Sequence, residues 1–256
     1  VRNFEFVIKV DGDAGFREGA KGTHTSRTIM VAELERVLQS GVAGAELRRA
    51  VIDDNLLEKA TTSGRELTLQ RLGELYALDA AAPIFRTLRS LWAKDAKSLP
   101  LLSALAALAR DPLMRVTAKP VLGLATGSEL MRDSMRNAIS AAVGSRLNEA
   151  TLEKVVRNAA SSWAQSGHLT GRTFKRRTKV TASPAAMAFA VWLAQAAGFK
   201  GDDILSSGWV AVLDLEPSER RAMLERARAA GLVDVKQHGS RLEIDATRLT
   251  GMGAAA

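Results

Sequence analysis

The sequence predicts an all-α fold carrying one or two short β-hairpins, with helix-turn-helix or winged-helix-like lobes. Apolar residues recur at helical spacing along most of the 256-residue chain, which lines one side of an α-helix with buried groups. Two stretches, residues 168–181 and 232–246, instead place residues of β character around a glycine. With 46% hydrophobic and 25% charged residues the make-up is that of a globular protein, and the length allows two packed units. We expect an N-terminal arm over residues 1–25, a helical lobe over 26–120, and a second lobe over 121–256 that holds a basic hairpin.

In the arm, Phe4-Glu5-Phe6-Val7-Ile8-Lys9-Val10 suggests a short strand, and a segment rich in Gly and Asp follows, with a turn at Asp11-Gly12-Asp13. Ile29, Met30, Leu34, Val37 and Leu38 then mark a helix over 29–39 that Gly41 stops. Leu47, Val51, Leu56 and Leu57 mark another over 45–59. Ser63, three residues before Glu66, reads as a capping box that opens a helix over 64–77. That helix sets Leu67, Leu72, Leu75 and Tyr76 inward and Arg65, Thr68 and Arg71 outward. Three short helices in succession fit a helix-turn-helix, and equally a plain helical bundle.

Pro83 suits the first turn of a helix to Trp92, and Ser98-Leu99-Pro100 starts one that stops at Asp111-Pro112. The turn-rich passage 119–127 is the expected boundary between lobes. Ser128 should cap a helix to Val143, and Asn148 a helix over 149–166 whose Leu152, Val155, Val156, Ala159, Ala160 and Trp163 form one apolar stripe. A hairpin over 168–181 precedes a central apolar helix begun by Ser183 and Pro184. A helix over 217–230, closed by Gly231, leads to a second hairpin turning at His238-Gly239, and residues 250–256 read as a frayed tail.

No cysteine occurs, so disulfides, thiolate metal sites and thiol nucleophiles are excluded and a reducing, cytoplasmic setting is expected. Residues 1–10 lack the features of a secretory leader. The longest apolar stretch, residues 184–197, has fourteen residues, short of the roughly 20 that span a bilayer, so no membrane insertion is expected. His24, His168 and His238 lie far apart without metal-ligand spacing and read as surface or turn residues. Neither a serine elbow nor a phosphate-cradling loop is present. Asp234-Val235-Lys236 with Glu243 across the second hairpin resembles the carboxylates and lysine of metal-dependent nucleases, but charged residues alternate on exposed strands by chance. We expect a non-catalytic protein with no cofactor, metal or small-molecule substrate.

Charge is uneven along the chain. Lys and Arg outnumber Asp and Glu by 36 to 28, a net +8. No acid occurs between Glu153 and Asp202, a run of 48 residues holding Lys154, Arg157, Arg172, Lys175, Arg176, Arg177, Lys179 and Lys200. Those eight cations equal the whole net charge. On the 149–166 helix, Lys154, Arg157, Asn158, Ser161, Ser162 and Gln165 face away from the apolar stripe. Arg can fork onto guanine, Asn and Gln can pair with adenine, and Lys and Ser reach phosphates. The hairpin cations at 172, 175, 176, 177 and 179 would add phosphate contacts as a wing. The expected partner is double-stranded DNA, with RNA as an alternative, and Arg65, Thr68 and Arg71 form a second candidate surface. Competing readings are a solvated basic surface, or a scaffold docking an acidic partner subunit.

Several stretches carry a family likeness: Thr25-Ser26-Arg27-Thr28-Ile29-Met30, Asp54-Asn55-Leu56-Leu57-Glu58-Lys59, Leu67-Thr68-Leu69-Gln70-Arg71-Leu72-Gly73-Glu74-Leu75-Tyr76, Leu108-Ala109-Arg110-Asp111-Pro112-Leu113, and Arg157-Asn158-Ala159-Ala160-Ser161-Ser162-Trp163-Ala164-Gln165-Ser166-Gly167-His168-Leu169. With these the chain resembles the BrxA family of BREX phage-defence clusters over most of its length. The resemblance implies a small, mainly helical DNA-binding protein that supports a multi-protein restriction system, alongside other subunits, without catalysing a reaction. Members are likened in fold to antitermination factors that bind RNA. The likeness supplies no catalytic residue.

Overall fold

The computed structural model describes residues 6, 8, 14–19, 22–239 and 241–251. Apart from Phe6 and Ile8, the strand expected over residues 4–10 lies outside the described residues, as do the turn at Asp11-Gly12-Asp13 and residues 252–256. Among the described residues the chain is mainly helical, with two short antiparallel hairpins.

Helix α1 (Val31–Ser40) buries Leu34, Val37 and Leu38, the spacing the sequence shows. Helix α2 (Gly44–Ile52) ends seven residues before the expected Lys59. Beyond it Asn55 and Glu58 take left-handed backbone, and the Asn55 carboxamide accepts from the Lys59 N–H at 2.8 Å, a local turn that competes with the helix. Helix α3 (Thr62–Tyr76) is capped by Thr61, whose side chain accepts from the Gly64 N–H. Ser63 is therefore not the cap. Helices α4 (Pro83–Lys94) and α5 (Leu99–Arg110) carry a proline, Pro83 and Pro100, in the first turn, where no amide partner is needed.

Helix α5 carries no charge between Leu99 and Ala109 and buries nearly every side chain. It packs against α1, α3, α4, α9 (Glu149–Gln165) and α10 (Pro184–Ala196). Asp111 then caps α6 (Pro112–Val116), accepting from the N–H groups of Leu113 and Met114. Lys119 and Pro120, expected in a turn, lie inside α7 (Ala118–Leu122), and buried side chains before and after residue 120 join one apolar cluster. Helix α8 (Arg132–Val143) starts four residues after Ser128, because Glu129 pairs as an isolated bridge with Arg176.

Asn148 caps α9 as the sequence predicts, accepting from the Thr151 N–H. Strands β1 (Leu169–Thr170) and β2 (Arg176–Arg177) form the first hairpin, with Leu169 opposite Arg177 and Thr170 opposite Arg176. Ser183 caps α10, whose residues 185–194 are buried. The short helices α11 (Asp202–Ser206) and α12 (Gly208–Ala211) lead to α13 (Pro217–Ala229). Strands β3 (Asp234–His238) and β4 (Arg241–Asp245) make the second hairpin, and α14 (Arg248–Gly251) takes in the first two residues of the tail expected over 250–256. No described helix is long and apolar enough to cross a membrane.

The described residues of the arm are tied down. Phe6 and Phe16 set their rings against Trp209 at 5.2 and 5.5 Å, and the Arg17 N–H donates to the Ala109 carbonyl. Residues 22–31 then cross α9 as a strap that contains one 3₁₀ turn, Thr23–Thr25.

Candidate nucleic-acid interface

The polar face of α9 splits into two rows, because residues three and four apart stack on one side of a helix. Asn158, Ser162 and Gln165 form one row, and the strap bonds to all three, with Ser162 buried and Gln165 still exposed. The Asn158 amide donates to the His24 carbonyl at 2.8 Å. The Ser162 hydroxyl, wholly buried, accepts from the Ile29 N–H at 3.0 Å. Gln165 accepts from the Val31 N–H at 3.2 Å and donates to the Thr28 hydroxyl at 2.9 Å. Asn158 and Gln165, expected to pair with bases, and Ser162, on the polar face expected to meet DNA, instead bond to residues 24–31. The correction has a simple cause: an extended strap leaves amides and carbonyls that need partners, and a helix row of Asn, Ser and Gln supplies them.

His24 anchors this seam. Its Nδ1 lies 2.7 Å from the Asp111 carboxylate and its Nε2 lies 2.8 Å from the Ser162 hydroxyl, with all three side chains buried. Asp111 also accepts from the His24 N–H. Burial by itself pushes the Asp111 carboxyl up, but the adjacent His24 imidazole and the donated hydrogen bonds outweigh it and hold the group below its usual range. The connectivity is that of an acyl-transfer triad, yet the serine is enclosed by Ile29, Asn158 and His24, and the node fastens strap to helix. Gly22 is part of the same fit, since an added Cβ there would overlap the Asp111 carboxylate.

His168 is equally buried, so neither histidine is at the surface, although His24 lies in a turn and His168 just after one, the other place the sequence offered for them. Its Nε2 faces the Val212 carbonyl at 2.8 Å and its Nδ1 faces the Ser166 hydroxyl at 2.8 Å. A carbonyl can only accept, so Nε2 carries the proton. Burial pushes the imidazole down to about 4, with Arg177 adding to the effect and Asp214 opposing it.

The second row of α9, Lys154, Arg157 and Ser161, stays open. Lys154 and Arg157 are exposed and have no ion pair among the described residues. The acids at the start of α9 are taken up by α8: Arg136 pairs with Glu149 at 2.6 Å and with Glu153 at 2.8 Å, and Arg132 also pairs with Glu153.

Of the five cations of the first hairpin, Arg176 and Arg177 lie in a strand, whose alternation sets them on opposite faces. Arg172 is exposed and unpaired among the described residues. Lys175 donates to the Gly171 carbonyl at 2.6 Å across the tip. Arg176 points out, 3.8 Å from Glu129, and Lys179 lies 3.5 Å from Glu219. Arg177 points in and is only 5% exposed. Its guanidinium pairs with Asp214 and donates to the His168 carbonyl, so it is removed from the outward set. Asp214 in turn accepts from the Val180 N–H at 3.0 Å.

Arg157, Arg172 and Lys175 line a cleft of about 520 Å³ between α9, the start of α8 and the hairpin tip. Met131 and Phe174 line it as well. Sequence reasoning passed over both, although an aromatic set among hairpin cations was a visible signal.

The second candidate surface is spent locally. Arg65 donates to the Ile52 carbonyl at 2.7 Å, Thr68 is buried and donates to the Gly64 carbonyl, and Arg71 pairs with Glu74 at 2.7 Å. In the second hairpin Asp234 pairs with Arg248 at 2.7 Å, and Lys236 stands opposite Glu243. Among the described residues no group of three His, Asp or Glu side chains is placed to hold a metal ion. No protein-family model, no curated protein and no solved structure matches the chain.

Proposed function

We propose that this chain is a non-catalytic accessory protein that binds double-stranded DNA, of the kind its resemblance to a BREX phage-defence family implies, and that it acts beside other subunits of such a system. The observation that carries the reading is the set of exposed cations Lys154, Arg157 and Arg172, without ion pairs among the described residues, beside Lys175 and Arg176 on the hairpin. Cations left without acids are free to replace the counterions of a phosphate backbone. With Asn158 and Gln165 engaged by the strap, the contact is read as one to phosphates, with little discrimination among base pairs.

The test is a titration of a labelled duplex at two salt concentrations, using wild type and a variant with Lys154, Arg157, Arg172 and Arg176 changed to Ala. Each lost phosphate contact should flatten the slope of log affinity against log salt by about 0.9, so the variant should bind weakly and lose about 3.6 units of slope if all four cations touch phosphate. Equal binding by the two proteins would overturn the proposal. Arg177 stays in place, since removing it leaves Asp214 as an uncompensated buried charge, a loss of roughly 3–5 kcal/mol.

A further inference from the structure

Met131 and Phe174 are the exposed large hydrophobic side chains among the described residues, at 62% and 66% exposure, and both line one cleft. Scattered singly, such residues need no explanation; two together on a concave surface mark a binding site. At about 520 Å³ the cleft is of the size that holds small organic groups. Its floor is apolar, from Val156, Ala160 and Met135, and its rim carries Arg157, Arg172 and Lys175. The acid in its lining, Glu129, faces Arg176. Ser161 adds a hydroxyl that has no hydrogen-bond partner among the described residues.

The hairpin tip is built to hold Phe174 outward. Gly171 has φ +97°, and a Cβ there would overlap the Phe174 carbonyl oxygen. The chain can close this tightly only with glycine at that position. Lys175 braces the loop through its bond to the Gly171 carbonyl.

We infer that this cleft receives one unpaired nucleobase, stacked on Phe174, with its flanking phosphates on Arg157, Arg172 and Lys175; the inference rests on the nucleic-acid reading above and adds the place where a base sits. Flat apolar faces joined to anions on either side are the chemistry of a nucleotide in a strand. An apolar peptide would leave the three cations unanswered, and an acidic one would leave Phe174 and Met131 in water. Every base has a π face, so the site selects for an unpaired base and not for its identity.

The experiment uses two labelled duplexes of equal length, one fully paired and one with a single unpaired 2-aminopurine, titrated by fluorescence anisotropy and by 2-aminopurine emission. Wild type should bind the unpaired probe at least about fivefold more tightly, the lower end of what one aromatic–base stack contributes, and should change its emission. Phe174→Ala should remove both the preference and the emission change while leaving affinity for the paired duplex intact, and Phe174→Trp should retain them. Equal binding of the two probes by wild type, or a preference that survives in Phe174→Ala, overturns the base site alone. Binding to neither probe, with capture of a protein partner instead, overturns the nucleic-acid reading with it.

Discussion

His168 sits neutral in the core, and that fixes one limb of the protein's pH dependence. Its imidazole is pushed from the ordinary value near 6.5 down to about 4, so the unfolded chain binds the proton first as pH falls. The stabilisation is complete above about pH 6.5 and is lost as pH drops through about 4, a change of about 3 kcal/mol. Urea unfolding between pH 7 and pH 4 should show this slope in wild type and lose it in His168→Gln; an unchanged slope would place the titration elsewhere. The sequence held little of this. An isolated histidine does not reveal that Val212 and Ser166 will enclose it, because those partners come from separate elements. Arg177 was more legible. Adjacent residues of a strand point to opposite faces, so of Arg176 and Arg177 one had to turn inward, and Asp214 was the distant acid that let it.

At the scale of elements, local chemistry was readable where the deciding contacts are local. Asn148 and Ser183 cap the helices they precede, and prolines stand in the first turns of α4, α5 and α10. Errors came where one element answers to another, as when Arg176 draws Glu129 into a bridge and delays the start of α8. The polar face of α9 is the main case. Donors and acceptors on a helix look alike whether they await a ligand or a strand of the same chain. Ser162→Ala separates the two meanings. Without the hydroxyl the Ile29 amide loses its acceptor, and hydrogen exchange there should quicken while affinity for a duplex holds. A fall in affinity with no change at Ile29 would return that row to the interface.

Over the whole molecule, helical periodicity and the two glycine-centred interruptions were enough to give the mainly helical fold and both hairpins. Packing between distant segments was not visible. Helix α5 is buried on nearly all sides, in contact with helices from α1 through α10, and the apolar cluster runs from Ile29 to Leu249. Such a core should unfold as a unit. Calorimetry should therefore show one transition with matching calorimetric and van't Hoff enthalpies, and two resolved transitions would contradict a shared core. The charge has a comparable reach: eight cations of an acid-free run supply the whole net +8, and the fold turns Arg177 inward while leaving Lys154, Arg157, Arg172 and Arg176 at the surface.

The clip between His24 and Ser162 joins residues separated by 138 positions. During synthesis at about 5–20 residues per second, the strap waits on the order of ten seconds before its helix exists. Asp111, 87 positions after His24, is made first and can hold the imidazole in the interval. The order of partners along the chain thus makes α9 the last of the seam's three parts to emerge, after His24 and Asp111.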